Sequence, residues 1–253
     1  MKISIITAVF NNKEFIENCI QSVAAQTYKD IEYIIIDGGS KDGTLDIIRK
    51  YAERGVINKW VSEPDNGMYD ALNKGIKMAE GEVIGFLHSD DIFAHERVIE
   101  RVAQTFMQDN NIDGIYGDLI YINKNCNKII RYWKAGRFTR DSFNYGWMPP
   151  HPTLFIKKEI YEKYGYFRTK FKISADYDLI LRFIWKHQIR VVYIPEVLIK
   201  MRVGGKSNKN IKNLLLKSFE DYKVIKENRV KGGFVTLLMK NIRKLPQFVH
   251  FQD

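Results

Sequence analysis

The chain has 253 residues, 45% of them hydrophobic, enough to bury a full core in one or two domains. Its net charge of +10 is unevenly spread: residues 1–199 carry 27 Lys/Arg against 26 Asp/Glu, and residues 200–253 carry 13 against 4. The body is therefore nearly neutral and the tail basic, which disfavours a uniform nucleic-acid-binding surface. Two cysteines, Cys19 and Cys126, form no disulfide framework and no metal-binding spacing.

The first half alternates strand and helix patterns. Ile3 to Phe10 is an apolar strand, and 14–26 has helical spacing through Phe15, Ile16, Cys19, Ile20 and Val23. Ile31 to Asp37 is a second strand. The stretch 44–54 is a helix that buries Leu45, Ile47, Ile48 and Tyr51. A short strand over 60–62, a helix over 69–79 and a strand over 82–87 follow. This alternation predicts a parallel sheet with right-handed crossovers and helices on both faces. Strands are expected over 115–122 and 128–133, paired across Lys124-Asn125, then a loop holding His151 among prolines, a strand over 153–156 and a helix over 158–164. A helix over 176–187 and a strand over 191–194 complete the body. From about residue 208 the pattern becomes basic helices broken at Gly232-Gly233.

Polar clusters fall at the strand ends: Asn11-Asn12, Asp37-Gly38-Gly39-Ser40, and Asp90-Asp91. Ligands in such folds bind beyond the C-terminal ends of the strands, so three clusters at one edge point to a site. Turn chemistry favours the same residue types, and Asp37 with Ser40 also fits a turn that does nothing else. Two carboxylates after the buried run Val83 to Leu87 call for a cation to offset their charge. Mg2+ or Mn2+ suits one or two carboxylates plus phosphate oxygens. Asp91 reads equally as the cap of a helix over 92–106. The glycine-rich turn 37–44 is neither a dinucleotide fingerprint nor a Walker loop.

Taken in order, Ser4 to Asn12, Asp37 to Thr44, Asn73-Lys74-Gly75 and Ser89-Asp90-Asp91 resemble family 2 glycosyltransferases of the GT-A fold. Ser62 to Ala71 and Ser174 to Leu179 add to the likeness, which covers about residues 1–205 and looks like the branch that builds bacterial surface polysaccharides and O-antigen units. The resemblance implies a Rossmann-like, mostly parallel α/β sheet. Its nucleotide-binding half spans about 1–118 and its acceptor-binding half about 119–205, with a basic amphipathic tail over 206–253. It implies that Thr7 and Phe10 floor a nucleotide pocket and that Asp37 hydrogen-bonds the uracil ring. Asp90 would bind ribose, Asp91 the Mn2+ or Mg2+ on the diphosphate, and Asp176 would be the general base. The implied function is inverting, metal-dependent transfer of a sugar from a nucleotide donor (UDP-linked) to a lipid-linked or oligosaccharide acceptor. A retaining transferase is the near rival. A catalytically silent, membrane-associated nucleotide-sugar-binding or scaffold protein is the alternative from another class.

Three positions depart from the family pattern. His88 replaces an Asp before the Asp pair, Ala175 replaces the Glu beside the base, and Leu72 stands where relatives often place an Arg. His151 is a candidate for the acceptor side of the cleft. Arg202 and Lys206, around Gly204-Gly205, are candidates for a lid over the diphosphate. The tail alternates Phe234, Val235, Leu237, Leu238 and Ile242 with Lys240, Arg243 and Lys244, which suits an anionic membrane surface or packing on protein. No apolar run approaches the ~20 residues of a membrane span, and no signal-peptide pattern opens the sequence. The expected location is therefore cytoplasmic, with the tail offering attachment to the inner face of a membrane.

Overall fold

A computed structural model describes residues 1–203 and 211–248. The first strands are β1 (Ile3–Val9), β2 (Ile31–Asp37), β3 (Lys59–Ser62) and β4 (Val83–Phe86), parallel and in the order β3-β2-β1-β4. Between them run α1 (Ile16–Ala24), α2 (Thr44–Glu53) and α3 (Met68–Met78). Val9 pairs with Asp37, and Asp37 with Ser62, so these three strands end level with one another and deliver their polar termini to one edge.

Side-chain alternation divides the core into two layers. Ile3, Ile5, Tyr33 and Ile35 pack with α1, α2 and α4 (Val98–Gln108), whereas Ile6, Ile34, Ile36 and Ile84 pack with the helices on the opposite face. α1 buries Ile16, Cys19, Ile20 and Val23, the spacing of a single helical stripe. In α2 the fully buried side chains are Thr44, Ile48 and Tyr51, while Leu45 and Ile47 are half-buried.

Beyond β4 the chain departs from the expected pattern. Residues 92–97 are not helical: Ile92 and Phe93 form a short strand, β5, antiparallel to Lys200 and Ile199. α4 starts only at Val98, with Arg97 as its N-cap, so Asp91 caps no helix. Pairing with a distant strand outweighs the local helical pattern there. β6 (Gly114–Ile122) and β7 (Ile129–Trp133) form the expected hairpin. β8 (Phe155–Lys157) lies antiparallel between β4 and β6. β9 (Val191–Arg202) runs parallel to β6 and is far longer than the expected 191–194. Its register shifts opposite Tyr116 to Asp118, where Pro195 supplies no N–H to the ladder. The full order is β3-β2-β1-β4-β8-β6-β9-β5, with β7 on β6, a single sheet whose first half is parallel and whose second half is mixed.

α5 (Lys158–Tyr164) and α6 (Ala175–Ile180) cover one face, and α6 continues as a π-helical turn over 181–186. The tail forms α7 (Ile211–Glu227) and α8 (Gly233–Ile242). Val224 and Ile225 of α7 enter the same core layer as α6. The described tail residues are thus packed on the body. Among the described residues, no helix is long and apolar enough to cross a membrane.

The contact between β4 and β8 leaves no space at Gly85, where an added Cβ would overlap the buried Phe155 ring. Gly85→Ala is expected to lower stability by about 1–3 kcal/mol. Urea unfolding should show a reduced midpoint at an unchanged slope.

Candidate active site

The turn after β2 is built on Asp37. Its Oδ2 accepts the N–H groups of Gly39 (3.2 Å) and Ser40 (3.0 Å) and the hydroxyl of Ser62 (2.6 Å), while the Ser40 hydroxyl donates to Oδ1. Gly39 has φ = 81°, the left-handed conformation the turn needs. Gly38 lies under the Phe10 ring, with the Asp65 carboxylate close by. Asp37 is fully buried by these contacts, so in this structure its carboxylate shapes the turn. With three donors on Oδ2 and one on Oδ1, Oδ1 retains one of its two acceptor positions.

The two residues expected to floor the nucleotide pocket part company. Phe10 is 51% exposed at the edge. Thr7 is fully buried, its hydroxyl donating to the Leu87 carbonyl (2.8 Å) and lying 3.1 Å from Tyr33 Oη, so it belongs to the core beneath the site and lines no pocket. Strand alternation accounts for this, since Thr7 shares its face with Ile5 and Val9.

After β4 the chain turns through His88, Ser89, Asp90 and Asp91. Ser89 accepts from Asn12 Nδ2 (2.7 Å), and the Asp91 N–H returns to the His88 carbonyl (2.9 Å). Asp90 is half-buried. Asp91 is wholly buried: Oδ1 accepts the Arg202 backbone N–H (3.1 Å) and Oδ2 has no hydrogen-bond partner. Burial, reinforced by the neighbouring Asp90, pushes the Asp91 carboxyl well above the ordinary carboxylate range, against the opposing pull of Arg202.

Arg202 is not placed as a lid. It ends β9 and is buried, with its guanidinium donating to the Asp90 carbonyl (2.6 Å) and reaching Cys126 Sγ (3.0 Å). It also stacks over Phe15. Its donors are divided between the Asp90 carbonyl, the Lys124 carbonyl, Asn18 Oδ1 and Cys126 Sγ. Lys206, the other lid candidate, lies outside the described residues.

Asp176 and His151 come together. His151 Nδ1 lies 3.1 Å from Asp176 Oδ2, and Tyr69 Oη lies 3.2 Å from Oδ1. His88 then extends the chain, with its Nε2 3.1 Å from His151 Nε2. Burial drives His151 down to about 4, against the opposing pull of Asp176, so it is neutral at pH 7. An ionised carboxylate only accepts hydrogen bonds, which puts the His151 proton on Nδ1 and leaves Nε2 as acceptor. His88 must therefore carry its proton on Nε2 and donate it. Burial is the largest single influence on Asp176 and raises it. His151, Lys240, the Tyr177 N–H and Lys217 together more than reverse this and hold the carboxyl below its ordinary value.

In the sequence His88 stood out only as a missing Asp, and nothing there signals that it meets His151. Its place at the same strand edge as the other polar clusters was the one clue. Asp178, two residues past Asp176, is fully buried against Arg182 (3.5 Å) and Asn228 (3.0 Å), a structural ion pair beneath the helix. A cavity of about 20 Å³, room for roughly one water, adjoins Asp176, His151 and His88 and is walled by Tyr69, Leu72 and Phe167. Leu72 thus lines the apolar side of the site.

Comparison with known proteins identifies this arrangement. Residues 4–174 match the sequence profile of glycosyl transferase family 2. A PGL/p-HBAD biosynthesis glycosyltransferase of Mycobacterium bovis is 30% identical over 219 residues, covering 85% of this chain and 82% of its own. A glycosyltransferase of Rickettsia typhi is 29% identical over 245 residues, covering 94% and 73%. Among solved structures, Staphylococcus aureus TarS residues 1–349 superpose with a TM-score of 0.67 at 20% identity, over 98% of this chain and 71% of that one. The mannosyltransferase PcManGT of Pyrobaculum calidifontis, in complex with GDP-Man and Mn2+, gives 0.69 at 16%, over 98% and 73%. With the mixed sheet and its polar edge already described, these matches establish that the chain has the GT-A fold and belongs to glycosyl transferase family 2.

Proposed function

We propose that the protein transfers a sugar, with inversion, from a UDP-linked donor to a hydroxyl of a lipid-linked or oligosaccharide acceptor. The observation that carries this reading is the hydrogen-bonded chain Asp176–His151–His88, which ties the expected base to the loop bearing Asp90 and Asp91. TarS has been solved in complex with UDP-GlcNAc and PcManGT with GDP-Man, which supports a nucleotide sugar as the donor class.

In this mechanism Asp176 takes the proton of the acceptor hydroxyl as that oxygen bonds to the anomeric carbon. The bond from that carbon to the diphosphate breaks, and the nucleoside diphosphate leaves with the electron pair. The lowered basicity of Asp176 means that the proton moves while the new bond forms. His151 donates to Oδ2 and fixes the carboxylate, and Tyr69 approaches Oδ1 from the other side. A single base, with no second carboxylate hydrogen-bonded beside it among the described residues, supports inversion. Phe10, Gly38 and the remaining acceptor position of Asp37 are assigned to the base of the nucleotide.

Asp90 and Asp91 fit a divalent cation on one structural ground: Asp91 Oδ2 is buried without a hydrogen-bond partner, so ionising this carboxyl is costly unless a cation joins it. Among the described residues no group of three acidic, His or Cys side chains is arranged to hold a metal. Mn2+ and Mg2+ need only one or two protein carboxylates, because they draw further ligands from phosphate oxygens. Bound there, such a cation supplies Lewis-acid stabilisation of charge on the departing diphosphate. A membrane role for the tail is supported by apolar side chains turned outward on α7 and α8, among them Leu215, Phe219, Phe234 and Leu238, beside an excess of lysine and arginine.

Three outcomes test this reading. Asp176→Asn should lower kcat roughly 10²- to 10⁴-fold with little change in donor KM, assayed as nucleoside diphosphate release across a panel of UDP- and GDP-sugars with Mn2+. Full activity in that variant would remove the base assignment. For Asp91 the folded carboxyl has the raised pKa, so the folded state holds its proton more tightly than the unfolded chain, and stability declines as pH rises above the unfolded value. Without divalent cation at pH 8, Asp91→Asn should therefore be more stable than the parent by about 1 kcal/mol. It should also lose any rise in Tm that Mn2+ gives the parent; an undiminished rise would place the cation elsewhere. Third, the protein should co-sediment with phosphatidylglycerol vesicles but not phosphatidylcholine vesicles. Phe234→Ser combined with Leu238→Ser should weaken that binding roughly tenfold, and equal binding to both lipids would argue against the tail as an anionic-surface anchor.

A further inference from the structure

The helix that carries Asp176 has no cap of its own. Ser174, its N-cap, turns its hydroxyl away from the helix to donate to Asp221 Oδ1 (2.7 Å). Position 175 is an alanine, so no adjacent side chain can orient the carboxylate. The backbone leading in is held from α7 instead. The N–H groups of Lys172 (2.9 Å), Ile173 (2.8 Å) and Ser174 (3.0 Å) all donate to the single carboxylate of Glu220. On the opposite side the Tyr69 hydroxyl donates to the Ile173 carbonyl (2.7 Å). Lys240 of α8 closes the group: its ammonium lies 2.8 Å from Asp221 Oδ2 and 3.4 Å above the Tyr177 ring, next in sequence to Asp176.

Glu220, Asp221 and Lys240 are all buried. Burying two carboxylates and an ammonium is unfavourable unless each has fixed partners, and helices needed only to cover apolar surface would place Leu or Val there. The tail does so at Val224 and Ile225. Its inward face also presents Glu220, Asp221, Thr236 and Lys240, while Leu215, Phe219, Phe234 and Leu238 face outward. Of this polar set, Glu220, Asp221 and Lys240 meet the 172–177 segment, while Thr236 donates to the Asn144 carbonyl.

We propose that Glu220, Asp221 and Lys240 are positioning residues for Asp176, so that the C-terminal helices are a working part of the active site. Glu220 holds the three amides that set where α6 begins. Asp221 fixes Ser174 and anchors Lys240, whose charge stands near the Asp176 carboxylate. The groups facing Asp176 are His88 and His151 on the sheet-edge loops, Tyr69 on α3, Tyr121 on β6, Lys217 on α7 and Lys240 on α8. Of the lysines, Lys240 exerts the larger effect in keeping Asp176 ionised. This inference rests on Asp176 as the base.

The test uses the full chain with Glu220→Gln and Lys240→Met, and Asp176→Asn as control. Asp176 is followed by carboxyl NMR titration, its signal assigned by its loss in the control. Turnover is read as diphosphate release from the same nucleotide-sugar panel. Lys240→Met should raise the Asp176 midpoint by roughly half a unit or more and move the acid limb of the kcat/KM profile upward with it. Glu220→Gln, which keeps the shape of the side chain, should speed hydrogen exchange at the 173 and 174 amides. It should lower kcat roughly 10- to 100-fold with donor KM within about twofold. Folded variants that titrate, exchange and turn over like the parent would overturn the proposal. Full turnover by Asp176→Asn would instead overturn the base assignment beneath it, and the two failures are read from different variants.

Discussion

A carboxylate buried at the edge of an apolar sheet must find hydrogen-bond donors, because leaving it unpaired costs several kcal/mol. This constraint organises the molecule. Asp37 meets it locally, with donors from its own turn and from Ser62 on the neighbouring strand. Asp118 meets it across the second half of the sheet, taking the hydroxyls of Tyr132 and Tyr193 and the Ala135 N–H. Asp178 uses Arg182 and Asn228. Asp91 and Asp178 each leave one oxygen without a hydrogen-bond partner, but Asp178 Oδ2 lies 3.5 Å from the Arg182 guanidinium, whereas Asp91 lies beside the half-buried Asp90. The exception marks the place where a ligand's charge is expected to complete the arrangement.

The same requirement explains the histidine chain. Asp176 is close to the surface, with 17% of its side chain exposed, yet it is held by His151, with the Tyr69 hydroxyl 3.2 Å from its other oxygen while donating to the Ile173 carbonyl. A neutral imidazole is well suited to this role. It donates through Nδ1 to the carboxylate without cancelling the carboxylate's charge, and its free Nε2 passes the constraint on to His88. The Asp missing at position 88 therefore has a physical consequence. A third carboxylate there would bring repulsive charge next to Asp90 and would leave His151 Nε2 without this donor.

Packing of the tail follows the usual amphipathic rule only in part. Surface helices normally bury their apolar stripe; α7 does so at Val224 and Ile225, but α7 and α8 also direct Glu220, Asp221, Thr236 and Lys240 inward and leave large apolar side chains outside. Both faces then have an assignment. The inner one is hydrogen-bonded to the segment that carries Asp176, and the outer one suits a partly apolar environment beside positive charge. Gly146 makes the approach of α8 close, since a side chain there would collide with the Lys240 backbone.

The residues themselves determined the parallel first half, the edge at which its polar termini gather, and the candidates Asp37, Asp90 and Asp91; Asp176 came only with the family resemblance. Strand alternation and helical spacing are local properties, and apolar runs such as 31–36 have few other ways to be buried. Only the tertiary structure decided what those candidates touch. It moved Thr7 into the core, converted residues 92–93 from helix to strand through pairing with β9, and tied Arg202 to the Asp90 loop. It also brought His88 to His151 across 63 positions of sequence, and Glu220 to residues 172–174 across nearly fifty. Such contacts depend on where distant elements dock, and no local periodicity encodes which donor a buried carboxylate will find.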